Sequence, residues 1–173
     1  MKRKMLKYME TMVTFSEIPE EVTLCINISG CPIHCPGCHS PHLWQDDGDP
    51  LTKEAVKELI ESNKGISCIA FMGGDNNPAY INELAKYIKE EYPLLAIAWY
   101  SGADEISSAI DCTNFNYIKI GPYIKELGGL DCPNTNQKLF KVITYMIGTT
   151  PKYILNDITE KSFRKLKFNE DKN

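Results

Sequence analysis

Three absences narrow what this chain of 173 residues can be. No stretch approaches the roughly 20 consecutive apolar residues that a membrane-crossing helix needs. The basic start Met1-Lys2-Arg3-Lys4-Met5-Leu6-Lys7-Tyr8 runs on through Glu10 and Glu17 with neither an apolar segment nor a cleavage site, so a soluble, cytoplasmic protein is expected. Positive charge is not in excess either: 19 Lys and Arg against 23 Asp and Glu leave a net charge of -4. That balance argues against a surface of clustered cations, and hence against nucleic acid as a partner. Finally, no internal repeat or low-complexity linker divides the chain. A single domain over 1–173 is expected, with 43% apolar residues to build its core and a disordered polar tail at 168–173.

Cysteine is present in an odd number, seven, and three of the seven lie within eight residues in Ser29-Gly30-Cys31-Pro32-Ile33-His34-Cys35-Pro36-Gly37-Cys38-His39. No fourth cysteine follows at comparable spacing. Such crowding in one loop (29–42) reads poorly as a disulfide framework and better as a metal or redox site in a reducing compartment.

Around this loop the chain alternates between strand and helix signals. Thr23 to Ile28, "TLCINI", is a β-rich run that ends at Ser29-Gly30. Thr52 offers an N-cap to a helix with Ala55, Val56, Leu59 and Ile60 on one face, closed by Asn63-Lys64-Gly65. Ile66 to Met72, bounded by Gly73-Gly74, reads as a strand buried on both faces. Asn77-Pro78 starts a helix with Ile81, Leu84, Ala85 and Ile88 at helical spacing. Leu94 to Tyr100 predicts a third strand, stopped by Ser101-Gly102, and a short helical segment with Ile106, Ala109 and Ile110 follows. Phe115 to Ile120 and Leu139 to Thr144 complete a set of five strands, and Lys161, Arg164, Lys165 and Lys167 mark the solvated face of a terminal helix. The alternation predicts an α/β fold with parallel strands and right-handed crossovers. The chain is too short for an eight-unit barrel of about 250 residues, so a partial, open β/α barrel is expected.

In such a fold the ligand site lies at the carboxyl ends of the strands. Taken in order those ends carry Cys31, Cys35 and Cys38, then Gly73-Gly74-Asp75, then Ser101-Gly102, then Gly121-Pro122-Tyr123. Thiolates suit iron–sulfur clusters or zinc. Three cysteines on a cubane of four irons leave one iron open to a ligand that is not protein.

Cys31-x3-Cys35-x2-Cys38 resembles the cluster motif of the radical S-adenosylmethionine superfamily, and Gly73-Gly74-Asp75 resembles its Gly-Gly-Glu motif. Within that superfamily, Cys35-Pro36-Gly37-Cys38 and the stretch Gly128-Gly129-Leu130-Asp131-Cys132-Pro133-Asn134-Thr135-Asn136-Gln137 are similar to the activating protein of anaerobic ribonucleoside-triphosphate reductase. The resemblance spans roughly Thr14 to Ile143. It implies a [4Fe-4S] cluster on Cys31, Cys35 and Cys38, whose open iron chelates the methionine end of S-adenosylmethionine. It implies amino-group contacts from Gly73, Gly74 and Asp75, a polar cofactor contact from Ser101, and a place for His39 near the adenine or beside the cluster. The implied reaction takes an electron from an external donor such as flavodoxin or ferredoxin, cleaves the cofactor to methionine and a 5′-deoxyadenosyl radical, and moves a hydrogen atom from a glycine Cα of the reductase.

Two other readings stand beside this one. A radical S-adenosylmethionine enzyme acting on a different glycyl-radical protein or on a small molecule would share the motifs. A zinc-stabilised interaction module would complete the three cysteines with His42 or His34. Cys25 and Cys68, inside strands, read as small buried hydrophobes. Lys119 reads as a solvated or snorkelling lysine that reaches the cofactor carboxylate only if it points to the rim. The residues around Asn134 to Gln137 are read equally well as a surface turn or a partner-facing loop, and Cys112 and Cys132 have no evident partner.

Overall fold

The computed structural model describes residues 4–163. The tail at 168–173 and the basic positions Arg164, Lys165 and Lys167 lie outside the described residues. The elements run β1 (Lys7–Thr14), β2 (Thr23–Ile28), β3 (Asp49–Pro50), α1 (Lys53–Ser62), β4 (Cys68–Met72), α2 (Pro78–Glu91), β5 (Ala96–Tyr100), β6 (Tyr117–Ile120), β7 (Lys138–Ile147), β8 (Thr150–Asp157) and α3 (Thr159–Phe163). All eight strands join one sheet in the order β3-β1-β2-β4-β5-β6-β7-β8. Among the described residues no helix is long and apolar enough to cross a membrane.

The central four strands, β2, β4, β5 and β6, run parallel. The flanking strands β1, β3, β7 and β8 pair antiparallel. The sheet is therefore mixed, and the expectation of parallel strands throughout is corrected at Leu139 to Thr144, which runs against β6 as part of the longer β7. The reason is the connection: 121–137 contains no helix to carry the chain back across the sheet, and a parallel strand needs such a crossover.

The two helices between parallel strands start where their caps place them. The Thr52 side chain accepts from the Ala55 N–H, and that of Asn77 from the Tyr80 N–H with Pro78 at the first turn. Their apolar faces, Val56 and Ile60 on α1 and Ile81, Leu84, Ala85 and Ile88 on α2, cover Ile26, Ile69, Phe71, Ile97, Trp99 and Ile118 of the sheet. The opposite sheet face carries smaller side chains, Cys25, Cys68, Ala70 and Ala98, packed under Ile18, Leu139 and Ile158. Alternation along each strand sorts the two sets.

The segment expected to be helical at Ile106 to Ile110 is a run of turns leading to a 3-10 turn at Cys112–Asn114. The Ser107 hydroxyl accepts from the Ala109 N–H and the Asp111 carboxylate from the Thr113 N–H, local bonds that compete with helix formation. β1, β3 and β8 add to the expected set of strands. β1 is rich in polar residues and half exposed, and β8 contains Pro151, which an edge strand tolerates because one side of its backbone has no partner strand.

Burial separates two leucines of the same chemistry. Leu84 is fully buried whereas Leu94 is 96% exposed. Leu84→Ala is expected to cost about 2–5 kcal/mol in urea denaturation, and Leu94→Ala to stay within about 0.5 kcal/mol of the parent.

Candidate iron–sulfur site

The cysteine loop leaves β2 at a fixed angle. Ser29 is buried, and its hydroxyl donates to the Asp47 carbonyl at 2.5 Å. The N–H groups of Gly30 and Cys31 donate to the carbonyls of Gln45 (2.9 Å) and Leu43 (3.0 Å), so the returning 3-10 turn Pro41–Trp44 clamps the first ligand position. Gly30 has φ +74, and a Cβ there would lie 2.8 Å from Asn76 Nδ2. Cys38 N–H closes a turn onto the Cys35 carbonyl at 3.0 Å, with Gly37 at φ +76 inside it. The Ser40 N–H donates to Cys38 Sγ at 3.4 Å. Cys31, Cys35 and Cys38 are free and partly exposed. Among the described residues no three His, Cys, Asp or Glu side chains are gathered closely enough to hold a single metal ion, so the three thiols share a loop without being drawn together around one point.

The Gly-Gly-Asp turn sits beside this loop because β2 and β4 are neighbours. Gly73 donates from its N–H to the Tyr100 carbonyl and accepts from Trp99 Nε1, each at 2.9 Å. Gly74 has φ +92, a conformation that favours glycine, and a Cβ there would stand 2.6 Å from Ile81 Cδ1, so a side chain would also oblige Ile81 of α2 to move. Asp75 is held by both oxygens: Oδ1 accepts from the Ser101 hydroxyl at 2.5 Å and Oδ2 from the Gly102 N–H at 3.0 Å. Ser101, 1% exposed, also accepts from the Ala103 N–H. It stands as the orienter of Asp75, behind the rim surface.

His39 meets Tyr123 with ring centroids 5.1 Å apart, which brings the segment after β6 to the cysteine loop. Farther along that segment, Asn136 Nδ2 donates to the Pro122 carbonyl at 3.0 Å, and Gln137 is 8% exposed. This part of the Asn134 to Gln137 stretch is thus buckled onto the end of β6. Lys119 is not the solvated lysine expected. It is buried, and its Nζ donates to the carbonyls of Gly121 at 2.7 Å and Ser101 at 3.3 Å. Desolvation pushes its pKa down to about 8 against the opposing pull of Asp75 and Cys35. Burial pushes the thiols of Cys25 and Cys68 up to about 12, which keeps them protonated as small hydrophobes.

One polar group near the loop suits a bound cluster: Trp44 Nε1 is a buried donor without a hydrogen-bond partner among the described residues. Asn76 Oδ1, likewise buried and without one, is an acceptor and offers nothing to thiolate or sulfide. Trp44 stacks on His34 in the spacer between Cys31 and Cys35, with centroids 4.7 Å apart, and Asn76 lies against Gly30. Thiolate and sulfide sulfurs accept hydrogen bonds, so an indole N–H beside the loop suits a cluster. Of the histidines that would complete a zinc site, His42 is bonded to Glu10 at 2.6 Å between Nε2 and Oε1, and the ring of His34 is stacked on Trp44. The sequence offered no signal for Trp44 or Asn76, whose roles arise from long-range packing, whereas Tyr123 was placed on the rim by its position after the fourth expected strand.

Thiol exposure separates the cysteines. In iron-free native protein, alkylation at pH 8 followed by mass spectrometry is expected to label Cys31, Cys35, Cys38 and Cys132 and to spare the buried Cys25, Cys68 and Cys112. Iron and sulfide loading should then protect the first three and leave Cys132 reactive. For Lys119 the unfolded chain holds the extra proton between pH 8 and 10.5, so its contribution to stability rises with pH across that window. Comparing denaturation of the parent with Lys119→Met from pH 8 to 10.5 should show the parent gaining relative to the variant.

No curated protein and no solved structure shows significant similarity to the chain. A family model described as a 4Fe-4S single cluster domain matches residues 20–118, which takes in β2, the whole cysteine loop, the Gly-Gly-Asp turn and the start of β6. That span is more than half of the chain and contains the loop that carries Cys31, Cys35 and Cys38, and the chain belongs to the 4Fe-4S single cluster domain family.

Proposed function

We propose that this protein is a radical S-adenosylmethionine activase that generates a glycyl radical on an anaerobic, class III ribonucleoside-triphosphate reductase. The observation that supports it most is a juxtaposition at one rim. The parallel pairing of β2 with β4 sets the three-cysteine loop next to the Gly-Gly-Asp turn, with Gly30 against Asn76 and a Cβ at Gly73 only 3.4 Å from the Ile28 carbonyl. The four parallel strands are read as the core of a partial, open barrel, with the loops at their carboxyl ends as the site.

In this reading Cys31, Cys35 and Cys38 hold the cluster and Gly73 and Gly74 let the cofactor approach the backbone. Asp75, its carboxylate oriented by Ser101 and Gly102, supplies the negative charge that favours the cofactor's amino group. His39, packed on Tyr123, borders the same space. When bound, the cluster and S-adenosylmethionine supply one-electron cleavage of a carbon–sulfur bond and hydrogen abstraction from a glycine Cα. The electron comes from an external donor such as flavodoxin or ferredoxin.

Anaerobic electron paramagnetic resonance of the iron- and sulfide-loaded protein tests the reading, with S-adenosylmethionine and an anaerobic reductase from the same source. A reduced-cluster signal perturbed by the cofactor, followed by a glycyl doublet on the reductase, is the expected result. A cofactor-sensitive cluster that never yields the doublet would exclude the reductase as substrate, and a cluster indifferent to S-adenosylmethionine would overturn the reading as a whole.

A further inference from the structure

Lys119 presents an electrostatic imbalance. Its ammonium is buried at the carboxyl end of β6, and among the described residues no carboxylate forms an ion pair with it. Its two hydrogen-bond partners, the carbonyls of Gly121 and Ser101, carry only partial charge. Of the acidic groups that act on it, Asp75 is already satisfied by Ser101 and Gly102, and Cys35 belongs to the cysteine loop, which lies against the same strand end, where a Cβ at Gly102 would stand 3.0 Å from Ile33 Cγ1. A buried cation without a full counter-charge is costly to the fold. A cluster on three thiolates is a net anion, and one-electron reduction adds to its negative charge, so a fixed cation nearby favours the reduced state.

We propose that Lys119 is a positioning residue whose fixed positive charge, pinned at the strand ends by the carbonyls of Ser101 and Gly121, raises the reduction potential of the cluster held by Cys31, Cys35 and Cys38. This rests on the assignment of the cluster to those cysteines and not on the identity of the substrate. The carbonyl clamp matters because it holds the side chain in the low-dielectric rim, where the charge acts with little screening. The neighbouring Asp75 sets the limit of the effect, since its carboxylate offsets part of the same field.

The test compares full-length, iron-loaded wild type with Lys119→Met, Lys119→Gln and Lys119→Arg, measuring iron and sulfide content, melting temperature and the midpoint potential by redox titration followed by electron paramagnetic resonance. Lys119→Met and Lys119→Gln are expected to load as much iron as wild type. At a fixed potential their reduced-to-oxidised ratio should fall about tenfold, a shift of about 59 mV to more negative values for one electron. Lys119→Arg should recover most of that shift. Should Lys119→Met not fold, Lys119→Gln decides, because its amide can donate to a carbonyl in the same clamp. An unchanged potential in a fully loaded neutral variant would overturn the proposal and leave Lys119 a strand-end buckle. So would loss of iron from Lys119→Gln at a normal melting temperature. Wild type that takes up no iron would overturn the cluster assignment itself, and iron content tells this failure from the others.

Discussion

The parallel ladder between β2 and β4, running from Thr23 opposite Cys68 to Asn27 opposite Met72, is the constraint on which the rim depends. Two parallel neighbours must discharge their loops at the same edge of the sheet, so the cysteine loop and the Gly-Gly-Asp turn emerge side by side. The approach is close enough that a side chain at particular positions would force its neighbours to move. At Gly30 a Cβ would press on Asn76, and at Gly74 it would collide with Ile81 of α2. Glycine at these places thus serves packing between elements as well as backbone conformation.

From that ladder a chain of polar contacts extends across the strand ends. Asp75 after β4 takes hydrogen bonds from Ser101 and Gly102 after β5, and the Ser101 carbonyl takes one from Lys119 of β6. Each link joins neighbouring strands, and most of the atoms involved are shielded from water. A network of this kind holds only when its members are satisfied, because an unpaired group in a low-dielectric setting costs more than the bond it lost. It prepares the rim for a ligand, while among the described residues Trp44 Nε1, Asn76 Oδ1 and Asn136 Oδ1 remain as polar atoms near it without a partner.

The rest of the sheet serves the rim indirectly. α1 and α2 seal one face, and the segment around Ile18 with α3 covers the small-residue face where Cys25, Cys68, Ala70 and Ala98 lie. Tyr100 crosses that face to donate its hydroxyl to the Glu17 carbonyl at 2.6 Å, and Glu21 accepts from Tyr117 and Ser67. The coverage excludes water from the strands that carry the loops. β7 and β8 extend the sheet as an antiparallel pair whose outer part keeps Ile143, Tyr145, Met146, Ile147 and Ile154 exposed.

Local pattern made much of this legible before any coordinates. The caps at Thr52 and Asn77, the apolar faces of α1 and α2 and the buried runs of β2, β4 and β5 follow from periodicity and turn chemistry, because neighbours in sequence are there neighbours in space. The spacing of Cys31, Cys35 and Cys38 likewise belongs to one short loop, so a thiolate metal site was readable from residue type, while the choice of an iron–sulfur cluster over zinc came from the resemblance of the motif. Tertiary structure decided the rest. The antiparallel course of β7, the polar strand β1 and the Pro-containing strand β8 depend on partners far along the chain, and the segment 106–110 lost its helix to local hydrogen bonds that its apolar spacing does not reveal. Whether Lys119 snorkels to water or stays inside, and whether Ser101 faces a ligand or braces Asp75, turns on which backbone groups the folded sheet brings within reach. Spacing along the chain carries no information about those distances, since they are set by strand register and burial.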